Sequence, residues 1–223
     1  MRKTFAKEVT DIANIRNDVV LLSGDIGNRM FDEFKLKANS RFFNCGIAES
    51  NMMSVAAGMA LSGLRPIIYT ITPFTTLRCL EQIKIGVAYH KVPVIIIGTG
   101  SGLSYAELGA THHSLDDISL IRSIPDIRVL CPCDSKELKA FLYQSLEINY
   151  PTYIRIGKKG EPNITQDFEN IKIGKANILK NGNEVIIMGI GPIINEALKA
   201  ANNEKIDSEK VAVVSMGSVK PMD

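Results

Sequence analysis

Tryptophan is absent from this 223-residue chain and only 3 histidines are present, so few side chains are open to imidazole chemistry. Cysteine is scarce too. Of Cys45, Cys79, Cys131 and Cys133, only the last two lie close together, and no second pair completes a zinc-like set. Reduced structural thiols are the reading that fits, with no metal site expected in the chain. No apolar run approaches the roughly 20 residues of a membrane span, and the opening Met1-Arg2-Lys3-Thr4 lacks the apolar core of a signal peptide. A cytoplasmic location without a membrane partner is expected. The formal net charge is only +2, which removes any bulk attraction to nucleic acid. No Gly-x-Gly-x-x-Gly follows the first apolar run, so a generic dinucleotide-binding domain is disfavoured.

What is present is an alternation. Short runs rich in Val and Ile at 19–23, 65–70, 94–99, 128–131 and 152–156 read as parallel strands covered on both faces. Helical patterns lie between them at 4–14, 49–62, 75–90 and 135–147, with Ser135 as a plausible N-cap of the last. The expected fold is α/β: a doubly wound, mostly parallel sheet with helices on both faces. Residues 157–170 are Gly-, Pro- and polar-rich, which places a linker at 161–172 after a first domain at 1–160. A strand at 184–190, a helix at 193–201 and a strand at 211–215 follow. They are too little to bury a core alone. Residues 173–223 are therefore expected to be the beginning of a second α/β domain, cut short.

Function first shows in Asn44-Cys45-Gly46-Ile47-Ala48-Glu49-Ser50, where a glycine turn delivers a glutamate to a small-residue helix, Val55-Ala56-Ala57-Gly58-Met59-Ala60. Then come Thr72-Pro73-Phe74, Gly109-Ala110-Thr111-His112-His113-Ser114, Ile121-Arg122-Ser123-Ile124-Pro125-Asp126 and Pro132-Cys133-Asp134. In this order and spacing the chain resembles the pyrimidine-binding domain of transketolases and 1-deoxyxylulose-5-phosphate synthases. The resemblance continues into the opening of the family's C-terminal domain near Lys220-Pro221.

The resemblance implies thiamine diphosphate as cofactor and gives named residues work. Glu49 would hydrogen-bond the ring nitrogen of the aminopyrimidine, the step that activates the cofactor. Phe74 would lie against the pyrimidine ring, with Leu77 touching it where the family often carries another aromatic residue. Asp25 and Ile26 would border the cofactor at a subunit junction. His112 would face the thiazolium carbon and the substrate oxygens, as proton and oxyanion handler. Arg2 and Lys158 would bind substrate phosphate, with Arg155 as a nearby alternative. Each has a plainer reading: a helix-start acid, a core phenylalanine, a turn aspartate, a structural histidine, solvated surface cations.

Two departures qualify the resemblance. Leu108 stands where transketolases carry an acidic residue that reads a substrate hydroxyl, and Gly100 and Ser101 replace a phosphate-contacting histidine. Pentose-phosphate substrates are therefore not carried over, and a modified sugar is admissible. Second, Gly24-Asp25-Ile26-Gly27 is not the Gly-Asp-Gly motif that, with a later Asn-Asn, holds Mg²⁺ and the diphosphate. The expectation is a split enzyme: this chain as the C-terminal-section subunit, and a partner chain holding Mg²⁺ and the diphosphate. Homodimerisation within an α2β2 heterotetramer would follow the family's two-fold pairing. The expected reaction is transfer of a two-carbon ketol unit between sugar phosphates. The rivals are a 2-oxoacid dehydrogenase beta subunit, a 1-deoxyxylulose-5-phosphate synthase-like enzyme, and a scaffold subunit without catalysis.

Overall fold

The computed structural model describes every residue except Asn28, Lys159, Asp167 and Glu204. Its helices, in chain order, are α1 (Arg2–Ile15), α2 (Asp32–Ala38), α3 (Glu49–Leu61), α4 (Thr72–Thr75), α5 (Asp117–Ser123), α6 (Ser135–Leu146) and α7 (Ile194–Ala201). The strands are β1 (Val19–Ser23), β2 (Phe42–Asn44), β3 (Arg65–Ile71), β4 (Ile95–Thr99), β5 (Arg128–Leu130), β6 (Thr152–Ile156), β7 (Asn177–Lys180), β8 (Val185–Gly189), β9 (Val211–Ser215) and β10 (Ser218–Lys220).

Successive strand residues face opposite sides of a sheet, and here both sides are apolar. Val19, Leu21, Ile67, Tyr69, Ile95 and Ile97 join one buried cluster with α1, α2 and α6. Val20, Leu22, Ile68, Val94, Ile96 and Tyr153 join a second with α3, α5 and the segment after α4. The resulting seven-stranded sheet runs β10-β5-β6-β4-β3-β1-β2. All its pairings are parallel except that of β10 on β5. The expected α/β class is what the chain adopts.

Several elements differ from expectation. Asp134, not Ser135, caps α6: its Oδ1 accepts from the Lys136 and Glu137 amides, both at 2.9 Å. Its Oδ2 accepts from the Ile164 and Thr165 amides at 2.8 and 2.7 Å, so the expected linker is pinned to the first unit there. The helix expected at 75–90 starts at Thr72 and is irregular, passing through a 3₁₀ turn at Leu77–Cys79 and π-helical turns at Gln82–Ala88. The hydroxyls of Thr75 and Thr76 both donate to the Thr72 carbonyl, competing with the regular backbone ladder.

The second, smaller sheet runs β7-β9-β8, one strand more than expected. It packs on the first unit through Glu137, a fully buried acid of α6. The Glu137 carboxylate accepts from the Cys133 amide, the Ser215 hydroxyl and the Asn177 side-chain amide at 2.8, 3.1 and 3.0 Å. Residues 218–220, expected to belong to the second domain, instead extend the first sheet as β10. Among the described residues, no helix is long and apolar enough to cross a membrane.

Candidate active site

In an open parallel sheet the carboxyl ends of the strands form the ligand-binding edge, and the motifs around Glu49, Phe74 and His112 gather there. β2 ends at Asn44, whose side-chain amide donates to Asp25 Oδ1 at 3.0 Å while its Oδ1 accepts from the Gly46 amide at 3.0 Å. The loops after β1 and β2 are thus tied together. Gly46 has φ +66°, a left-handed turn that suits glycine and swings the chain into α3. Glu49 opens α3, and its side chain is only 2% exposed. Gly24 packs beside it, most tightly against Thr70. A Cβ there would lie 3.1 Å from Thr70 Cβ and 3.4 Å from Glu49 Cγ.

The segment after β3 supplies the wall opposite. The Thr72 hydroxyl donates to the Thr99 carbonyl at 3.0 Å and the Cys79 thiol to the Phe74 carbonyl at 3.1 Å, which fixes this irregular helical stretch on the sheet. Phe74 is half-buried. Arg78, one helical turn on, lays its guanidinium over the Phe74 ring, 4.1 Å from the centroid. The same guanidinium donates from Nη1 to Glu49 Oε2 at 2.7 Å. A recess of about 500 Å³ opens here, lined by Ile47, Ala48, Glu49, Ser50, Asn51 and Arg78.

The loop after β4 brings in the histidine. His112 meets Phe74 edge-on with ring centroids 5.1 Å apart and approaches Tyr105 at 6.1 Å. Its Nδ1 lies 2.9 Å from the Thr111 hydroxyl, and His113 Nε2 lies 3.3 Å from the Ala106 carbonyl. Lys158 Nζ sits 4.2 Å from the Tyr105 centroid and pairs with Glu107 Oε1 at 3.0 Å. Glu49, Arg78, Phe74, His112, Tyr105 and Lys158 therefore form one continuous row.

Arg155, the alternative phosphate contact, is engaged inside the protein. Its Nε donates to buried Asp117 Oδ2 at 2.8 Å and its Nη2 to the Ser114 carbonyl at 3.0 Å. The Tyr153 hydroxyl donates to the same Asp117 oxygen at 2.7 Å. Burial pushes the Tyr153 phenol well up, and the adjacent Asp117 adds to the rise. This pairing anchors the base of the histidine loop.

Arg2 donates from Nε to the Tyr69 hydroxyl at 3.0 Å and lies near enough to Tyr105 to interact with it electrostatically. Asp25 is exposed at φ +49°, and the Ile26 carbonyl accepts from the Ser23 hydroxyl at 2.9 Å. Leu77 is 53% exposed. Arg78 and Asp117 were not singled out in the sequence. Neither carried a signal: Arg78 follows a break in the helix at Thr76, where φ is −117° and ψ −83°, and the partners of Asp117 are far off in the chain.

The family described as "Transketolase, pyrimidine binding domain" matches residues 1–161, and "Transketolase, C-terminal domain" matches residues 174–223. The chain belongs to the transketolase family. It is 32% identical to an apulose-4-phosphate transketolase subunit of Phocaeicola vulgatus, over 100% of this chain and 72% of that one. It is 31% identical to the 6-deoxy-6-sulfo-D-fructose transketolase subunit SqwH of Clostridium sp., over 100% of this chain and 70% of that one. Among solved structures, "Split gene transketolase, inactive beta4 tetramer" superposes with a TM-score of 0.90 at 32% identity, covering 100% of this chain and 72% of the other. A transketolase-family subunit of the split type is the identity these relatives support.

Transketolase membership implies thiamine diphosphate, and the site has the features its aminopyrimidine needs. A buried carboxylate and a half-buried aromatic face are close enough for one flat guanidinium to touch both. Near them the fully buried Thr70 hydroxyl has no hydrogen-bond partner among the described residues. The residues fit the group.

Proposed function

We propose that this chain is the pyrimidine-binding subunit of a split transketolase, moving a two-carbon ketol unit between sugar phosphates together with a partner chain that holds Mg²⁺ and the diphosphate. The observation that carries the reading is the buried Glu49 carboxylate joined to the Phe74 ring through one guanidinium, that of Arg78, at the carboxyl edge of a parallel sheet. When bound, thiamine diphosphate supplies the nucleophilic carbon and electron sink for breaking and making a carbon–carbon bond next to a carbonyl.

This chain's residues do the rest. Glu49 holds a proton at its carboxyl oxygen against the pyrimidine ring nitrogen, in surroundings dry enough for a strong hydrogen bond. Phe74 supplies a flat apolar face that orients the ring and keeps water off it. Asp25 and Ile26, on the loop next to Gly24, border the cofactor from the β1 side, and Leu77 adds aliphatic surface. His112, its Nδ1 engaged by Thr111, presents Nε2 to the substrate oxygen and donates as negative charge grows there. Lys158 and Arg2 attract the anionic end of the sugar as point charge and planar fork respectively.

The substrate is a modified sugar. Leu108, closing the 3₁₀ turn ahead of His112, offers no carboxylate to a hydroxyl, and Glu107 beside it is paired with Lys158. The relatives are named for apulose-4-phosphate and 6-deoxy-6-sulfo-D-fructose, neither an ordinary pentose phosphate. The working assembly pairs copies of this chain with copies of the partner, in the cytoplasm. Mixing the chain with the product of the neighbouring gene and a ketose phosphate tests the proposal. Ketol-transfer product should form only in the mixture with thiamine diphosphate and Mg²⁺, and product from this chain alone would contradict it.

A further inference from the structure

Arg78 has no part in the roles above, yet it touches both residues given to the cofactor ring. Its guanidinium is planar, carries several N–H donors, stacks on Phe74 at 4.1 Å and donates to Glu49 at 2.7 Å. The Arg78 side chain is 42% exposed and that of Glu49 only 2%, so the arginine reaches into the recess from its rim. Its backbone is tied to the start of α3, since the Ser50 hydroxyl donates to the Arg78 carbonyl at 3.0 Å.

An aminopyrimidine offers the same two contacts. It is flat, stacks on an aromatic face, and bonds a carboxyl group through its nitrogen edge. We infer that the Arg78 guanidinium is a built-in stand-in for the cofactor's aminopyrimidine, occupying the Glu49–Phe74 site until the cofactor displaces it; this rests on the function proposed above. Two flat groups cannot share one face of Phe74. An unoccupied recess would leave the Glu49 carboxylate buried without a counter-charge, which is costly; Arg78 removes that cost in the unloaded subunit. Cofactor affinity is then lowered by the fraction of molecules in which the site is closed.

Arg78→Met tests this, because it keeps an apolar stem over Phe74 while removing the guanidinium. In the complete complex with the partner chain, titration with thiamine diphosphate and Mg²⁺ should show binding about tenfold tighter for Arg78→Met than for the natural chain. In the full chain alone, Arg78→Met should lower the melting temperature, and the same change on a Glu49→Gln background should lower it much less. Unchanged or weaker cofactor binding by Arg78→Met, with normal binding by the natural complex, would overturn the stand-in and leave the functional reading intact. No cofactor binding by either complex would overturn both.

Discussion

The rings of Phe74 and His112 stand edge to face, 5.1 Å apart and inclined by 70°. One comes from the segment after β3 and the other from the loop after β4, so the ring proposed to wall the cofactor site and the group proposed to face substrate are in direct contact. His112→Asn should therefore separate chemistry from cofactor binding. Turnover by the reconstituted complex should fall by on the order of 10²-fold or more, while the Kd for thiamine diphosphate changes little. Steady-state kinetics beside calorimetry would check this.

Glu49→Gln keeps the size of the side chain and removes its acidic proton. Turnover of the reconstituted complex should drop by on the order of 10²–10⁴-fold. The isolated variant should keep its far-UV circular dichroism spectrum, because the glutamine amide can still satisfy its buried surroundings. Unaltered turnover would favour a scaffold role.

Much of this was legible in the sequence, and the parts that were not have physical reasons. β1, β3, β4 and β6 are nearly continuous apolar runs because both faces of the sheet are covered. β2 is three residues long and partly exposed, so it has no such run. β10 was invisible because a lone Val219 between polar residues becomes a strand only by pairing with β5. Glu49 was visible as an acid after a glycine turn. Its pairing with Arg78 was not, because it joins the start of α3 to a distant, irregular helical segment. Asp117 is caught between Tyr153 and Arg155, a relationship that exists only once β6 lies under the histidine loop.

That buried pair makes a stability prediction. Arg155→Met removes the cation and leaves Asp117, only 1% exposed, with the Tyr153 hydroxyl alone. The cost should be about 3 kcal/mol or more, read as a shift of the urea midpoint. Because Arg155 also holds the Ser114 carbonyl, amide exchange should quicken in the histidine loop ahead of the rest of the sheet.

The thiols should react in a fixed order. Burial pushes Cys79 up to about 11 and Cys131 up to about 12, and raises Cys133 further. At pH 8 burial therefore keeps the Cys79 thiol protonated. Cys45 is only half-buried. Iodoacetamide at pH 8 should label Cys45 first in the folded chain, and the other three only after denaturant is added; peptide mass mapping would show the order.

The most direct test of the account is calorimetric titration of thiamine diphosphate and Mg²⁺, into this chain alone and into its mixture with the neighbouring-gene product. Tight binding in the mixture and none by the chain alone is the predicted result, since this chain offers the pyrimidine half of the site. Tight binding by the chain alone would contradict the split site.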